Sequence, residues 1–317
     1  MAAAFPKRHL AALTALPGLA GLLLRALFTG NFRRVGALLL VLPQLLFNVV
    51  GDTPITPYKD PIDMTQFSLV WSDEFDHGFD TAIWQGHYVY GENDTQQRDV
   101  AWWNREQISF TDDGCLVLTV EYREDGPAGA HYYAYGMETN PNKNYSGDHV
   151  GYEQLYGYFE IRCILPKGVG INPAFWLLTD GMWADDTDGG VSGAEVDVFE
   201  TDTDRQPGDR FYGSVFHTIH VDAYGDAHRR EIQGWFYANN PYEEFNTYGV
   251  AWNPDGYTFY INGVETAHTD FGGVCAVPLY LIISVGVDER IAQNDQLPAR
   301  MIVDYVRAYQ YKNLPAV

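Results

Sequence analysis

The stretch Ser192-Gly-Ala-Glu-Val-Asp-Val-Phe-Glu-Thr201 constrains this chain more than any other. Glu195, Asp197 and Glu200 are interleaved with Val196, Val198 and Phe199, and β-branched and aromatic residues at that density favour a strand over a helix. Strand side chains alternate with period two, so Glu195 and Asp197 share a face while Glu200, five positions on, would point the other way. One extra residue, a β-bulge at Val198-Phe199, would return Glu200 to the face of the other two. Glu195 and Glu200 would then lie four strand steps apart, roughly 13 Å between Cα atoms. Side chains leaning inward would bring their carboxyls toward the spacing of about 5 to 5.5 Å found in retaining glycosidases, short of the wider inverting gap. Asp197, held between them, would raise a neighbour's proton affinity through like-charge repulsion. Taken alone, an E-x-D-x-x-E pattern reads more readily as a solvated acidic edge strand.

Other motifs change that balance. Leu69-Val-Trp-Ser-Asp-Glu-Phe75, Tyr156-Gly-Tyr-Phe-Glu-Ile-Arg162, Leu165-Pro-Lys-Gly168, Pro173-Ala-Phe-Trp-Leu-Leu178 and Val303-Asp-Tyr-Val-Arg307 follow one another over about Phe67 to Tyr311. With the acidic stretch they resemble the family-16 glycoside hydrolases, in the bulged branch that contains laminarinases and related endo-β-glycanases. The resemblance implies an all-β fold, a jelly-roll sandwich of two antiparallel sheets whose concave face is the substrate cleft. It implies an endo-acting retaining hydrolase of a neutral polysaccharide, β-1,3- or β-1,3/1,4-glucan first, with no cofactor required. A β-galactan or glycan-chain hydrolase of the same family is the nearest alternative. A lectin on the same fold is a second, but binding alone needs no proton donor and gives no reason to keep Glu195, Asp197 and Glu200 together. An envelope protein without catalysis is a third.

Residue by residue, the resemblance makes Glu195 the nucleophile, Glu200 the acid/base and Asp197 the group that orients and tunes them. It places Trp176 along the sugar nearest the cleavage point, where an indole face covers the C–H surface of a pyranose. Trp102-Trp103-Asn104 reads as a loop, and of two adjacent, oppositely pointing rings Trp103 is the one expected in the cleft. His220 and Tyr224, in His220-Val-Asp-Ala-Tyr-Gly-Asp-Ala-His228, resemble a segment that hydrogen-bonds sugar hydroxyls. Trp71, Trp84 and Trp252 sit in strand motifs and read as structural. Glu74 and Asp304 match two ligands of a convex-side Ca²⁺ in some relatives, part of a six-to-eight oxygen shell. One departure stands out: Ile283-Ser-Val-Gly-Val287 replaces the family's asparagine-containing strand near the C-terminus, so the cleft wall differs there.

The formal charge is -22. Lys7, Arg8, Arg25, Arg33 and Arg34 stand in the first 51 residues without a single acid, so the body is more acidic than the total. An acidic body without a basic stripe or a glycine-rich phosphate loop argues against nucleic acid and for a neutral polysaccharide partner. Cys115, Cys163 and Cys275 form no metal-like pair; Cys163 reads as a small buried hydrophobe. His217, His220 and His228 lack zinc spacing.

Residues 1–51 are apolar and basic. Leu10 to Leu24 is broken by Pro17-Gly18, and Val35 to Val50 by Pro43, each shorter than the ~20 residues of a spanning helix. An atypical signal sequence, an uncleaved anchor using Val35 to Val50 and a helical pair lying in the membrane interface all fit this short apolar helical segment, with membrane association favoured. Residues 52–64 read as a proline-rich linker, and 65–313 as the catalytic domain, expected as a monomer in the extracellular space or cell envelope. Within it, Tyr257 to Ile261 leading into Asn262-Gly263 is a strong hairpin signal.

Overall fold

A computed structural model describes residues 61–86, 96–97, 101–143, 147–183, 188–288 and 290–314. The apolar segment 1–51, with its expected helix, and linker residues 52–60 lie outside the described residues. Among the described residues no helix is long and apolar enough to cross a membrane.

In chain order the strands are β1 (Phe67–Asp73), β2 (Gln96–Gln97), β3 (Ala101–Trp103), β4 (Ile108–Phe110), β5 (Leu116–Gly126) and β6 (Gly129–Glu138). There follow β7 (Glu153–Gln154), β8 (Gly157–Ile164), β9 (Ile171–Leu178), β10 (Glu195–Glu200), β11 (Ser214–Val221) and β12 (Arg229–Tyr237). The last are β13 (Asn246–Asn253), β14 (Gly256–Ile261), β15 (Val264–Thr269), β16 (Leu279–Val287) and β17 (Ala299–Tyr311).

One layer is built on β17, which pairs with β8 on one side and with β5 and β1 on the other; β13, β14 and β15 continue it from β8. The facing layer is built on β16, flanked by β6 and β7 on one side and followed by β9, β10, β11 and β12 on the other. These pairings are antiparallel, and the chain is an all-β jelly-roll-like sandwich. Period-two alternation explains the layering: along β8, Phe159, Ile161 and Cys163 are buried while Glu160 and Arg162 are partly exposed on the opposite face. The core lies between the layers, and each fully buried large apolar side chain, Phe175 or Ile283 for example, contributes about 1.5–3 kcal/mol.

The hairpin forms as the sequence predicts. Asn262 (φ 52°) and Gly263 (φ 72°) join Ile261 to Val264, both in the left-handed region that a two-residue turn of this hand requires. The end of the linker is docked: Pro61 bridges Val264, and the Ile62 amide donates to the Gly263 carbonyl at 2.8 Å. All three cysteines are buried and free, with Cys163 fully enclosed.

Candidate active site

Strand β10 lies between β9 and β11 in the second layer, and the extra residue falls where the spacing of the carboxylates demands it. Against β9, Asp197 faces Trp176 and Phe199 faces Phe175; against β11, Asp197 faces Thr218 and Glu200 faces Phe216. Val198 therefore has no register partner on either flank. Directly paired residues of an antiparallel ladder project to the same side, so Glu195, Asp197 and Glu200 share a face with Trp176, Thr218 and His220. Val196, Val198 and Phe199 are buried in the core. Glu195 keeps 13 % of its side chain exposed and Asp197 4 %.

His220 lies directly across from Glu195. Its Nε2 is 3.3 Å from Asp197 Oδ2 and 3.6 Å from Glu195 Oε1, and its Nδ1 is 2.9 Å from His228 Nε2. Glu195, Asp197 and His220 present ligand atoms within 4.8 Å of one another, a spacing a cation would also accept. The Tyr224 hydroxyl donates to Glu195 Oε2, and its ring packs against Trp183 with centroids 4.8 Å apart.

The loop that delivers Tyr224 is strained. Asp222 (φ 63°) and Ala223 (φ 60°) are consecutive left-handed residues without being glycine, at an order-of-magnitude cost of ~1–3 kcal/mol each. Asp222 holds the bend: its Oδ1 accepts from the Gly189 amide at 2.8 Å and its Oδ2 from Arg229 Nε at 2.6 Å.

Protonation follows from burial. Removal from water, then the charges of Asp197 and Glu195, hold the Glu200 carboxyl well above the usual carboxylate range. Burial pushes Asp197 up to about 8 against the opposing charge of Arg230. The arrangement thus pairs carboxyls on one face of a strand and keeps at least one of them protonated near neutrality, which suits acid–base chemistry on a bond laid across that face.

The other candidates divide. Trp176 lies on the carboxylate face, its Nε1 donating to Ser284 Oγ at 3.2 Å, and is 6 % exposed. The loop reading of Trp102-Trp103 is corrected: Trp103 lies in a strand. It stands in β3 and not in a loop, pairs in parallel with β6 and lies edge-on to Tyr135, 4 % exposed; its neighbour Trp102 is the more open ring. Trp84 and Trp252 are buried, and Trp71 packs on Tyr152, as structural residues.

Glu74 and Asp304 do not fit a calcium shell. Glu74 receives both nitrogens of a forked Arg307 at 2.8 and 2.7 Å, and Asp304 is paired with Arg162, so each carboxylate is already neutralised by its own arginine. Among the described residues no group of three metal-capable side chains includes either. Sequence reasoning missed His228, Trp183 and Arg230 as members of the site. His228 stood in the quoted segment, but Arg230 is brought opposite His220 by strand pairing alone.

Comparison with known proteins bears on the family and the fold. The family model "Glycosyl hydrolases family 16" matches residues 96–271. A "Beta-glucanase" of Rhodothermus marinus is 25% identical over 274 residues, covering 77% of this chain and 86% of that protein. A "Glucan endo-1,3-beta-glucosidase A1" of Niallia circulans is 27% identical over 296 residues, covering 82% of this chain but 40% of the relative. Among solved structures, the catalytic domain of an endo-1,3-beta-glucanase (laminarinase) from Thermotoga petrophila RKU-1 superposes with a TM-score of 0.59 at 26% identity, over 78% of this chain and 99% of that domain.

Proposed function

This chain belongs to Glycosyl hydrolases family 16 and is a glycoside hydrolase, and from that premise we propose that it cleaves internal β-glycosidic bonds of a neutral β-1,3- or β-1,3/1,4-glucan by double displacement. Relatives named as a beta-glucanase and an endo-1,3-beta-glucosidase support the substrate class. The observation that carries the reading is the bulge at Val198, which aligns three carboxylates on one face of β10.

In the first step Glu195 attacks the anomeric carbon while Glu200 gives its proton to the departing glycosidic oxygen, and a covalent glycosyl-enzyme results. In the second, Glu200, now a carboxylate, takes a proton from water, whose oxygen attacks the same carbon and frees Glu195. Two inversions return the original configuration. Tyr224, donating to Oε2, leaves Oε1 as the attacking atom, and Asp197 together with His220 fixes the orientation of Glu195. Trp176 forms the apolar floor under the sugar ring. The protein acts as a monomer outside the cell or in its envelope, with residues 1–51 associating with membrane.

Incubation with a panel of β-glucans and β-galactans, with the anomeric configuration of nascent ends followed by NMR, tests substrate and stereochemistry together. Glu195→Gln and Glu200→Gln should each lower kcat at least 1,000-fold, since each removes one of two interdependent steps. Residual activity within tenfold of wild type, or inverted product, refutes the assignment; cleavage confined to galactans moves the substrate to the alternative polymer.

A further inference from the structure

The bulge that aligns the carboxylates poses a problem of its own. Val198 has no register partner on β9 or on β11, and the residue is wholly buried. A buried carbonyl without a partner costs roughly 1–3 kcal/mol, and a ladder can recover that by slipping one residue back into register. Such a slip would turn Glu200 away from Glu195.

What opposes Val198-Phe199 on β11 is His217, likewise outside the register and 0 % exposed. Its Nδ1 is 2.5 Å from the Val198 carbonyl oxygen, and its Nε2 is 2.9 Å from Thr266 Oγ1. A carbonyl only accepts, so Nδ1 carries the proton; Nε2 then accepts from the Thr266 hydroxyl, and the ring is a neutral, fixed tautomer. Burial holds its basicity down, to about 4, which keeps it neutral at working pH. The ring is clamped between aromatic faces, 4.5 Å from Phe259 and 5.1 Å from Phe236. Thr266 and Phe259 belong to β15 and β14 in the opposite layer, so the clamp ties the bulge to the far sheet.

We propose that His217 is a positioning residue for catalysis: by donating Nδ1–H to the Val198 carbonyl it holds the bulge, and through the bulge it holds Glu200 on the face of Glu195. This rests on the reading of Glu200 as the acid/base. His217 touches no substrate and acts only through the backbone of β10.

The test uses the full chain and two substrates of one glycan length. One is the natural β-glucan oligosaccharide, whose leaving oxygen needs a proton; the other carries 2,4-dinitrophenolate, which leaves without one. His217→Phe keeps the aromatic packing and loses the donor, while His217→Asn restores a donor near the position of Nδ1. For a folded His217→Phe, turnover of the natural oligosaccharide should fall about 100-fold, the scale of lost acid catalysis. The burst of dinitrophenolate should slow less than about fivefold and KM should hold within twofold on the same reasoning, and His217→Asn should recover at least about tenfold of the loss. Equal losses on both substrates, or no loss, overturn the proposal.

Glu200→Ala is the control. If it shows the same leaving-group dependence, the acid/base reading stands independently of His217; if it does not, that reading has failed rather than the clamp. A wild-type measurement needs no variant to fold: long-range ¹H–¹⁵N spectra should show one buried imidazole protonated at Nδ1 from pH 5 to 9, and an Nε2–H tautomer overturns the proposal.

Discussion

Replacing Glu138 by glutamine should make the protein more stable in alkali and leave it unchanged in acid. Glu138, at the end of β6, is 0 % exposed. Its Oε1 accepts from Gln85 Nε2 at 3.1 Å, while its Oε2 has no hydrogen-bond partner among the described residues. Burial, reinforced by the charge of Asp180 and opposed by that of Lys143, pushes its carboxyl from 4.5 up to about 8. Between those two values the native state holds a proton that the unfolded chain has released. The native state binds more protons there, so stability falls as pH rises, by about 1.4 kcal/mol for each pH unit. Full deprotonation of the unfolded state against a native value near 8 gives roughly 5 kcal/mol lost by pH 8, and about 3 if water reaches the site. Glutamine has the shape of the protonated acid and still accepts from Gln85, but it does not titrate. Urea unfolding of wild type and Glu138→Gln, followed by tryptophan fluorescence, isolates this group because every other titration is common to both chains. The two should agree within about 1 kcal/mol at pH 4, and the variant should lead by about 3–5 kcal/mol at pH 8. A difference that stays flat with pH, or that favours wild type in alkali, refutes a buried protonated Glu138.

Two shorter expectations concern the site and its scaffold. Asp197→Asn removes a carboxyl whose ionisation in alkali raises the proton affinity of Glu200; the alkaline limb of kcat/KM, which reports loss of the acid's proton, should therefore move to lower pH, and a limb that stays in place or moves up counts against that coupling. Because Arg307 and Arg162 already neutralise Glu74 and Asp304, EDTA or millimolar Ca²⁺ should shift Tm by less than about 1 °C; a rise of several degrees with Ca²⁺ would restore a metal site on the convex face.

The sequence by itself determined what depends on neighbours along the chain. Strand periodicity separated Phe159, Ile161 and Cys163 from Glu160 and Arg162, Asn262-Gly263 marked its own turn, and the five-residue step from Glu195 to Glu200 required a bulge whose position could be named in advance. Those features are local, because side-chain alternation and turn dihedrals are properties of a few consecutive residues. Only the tertiary structure decided which residues meet. Trp103, read as a loop aromatic, became a strand residue through its pairing with β6; two left-handed residues, the first pinned by Gly189 and Arg229, carried Tyr224 to Glu195; and His217, which the sequence offered only as one more histidine, turned out to face the bulge carbonyl. Sheet order and register join positions tens to hundreds of residues apart, and no pattern within a short window of sequence encodes them, since the free energy that selects them comes from packing the two layers together.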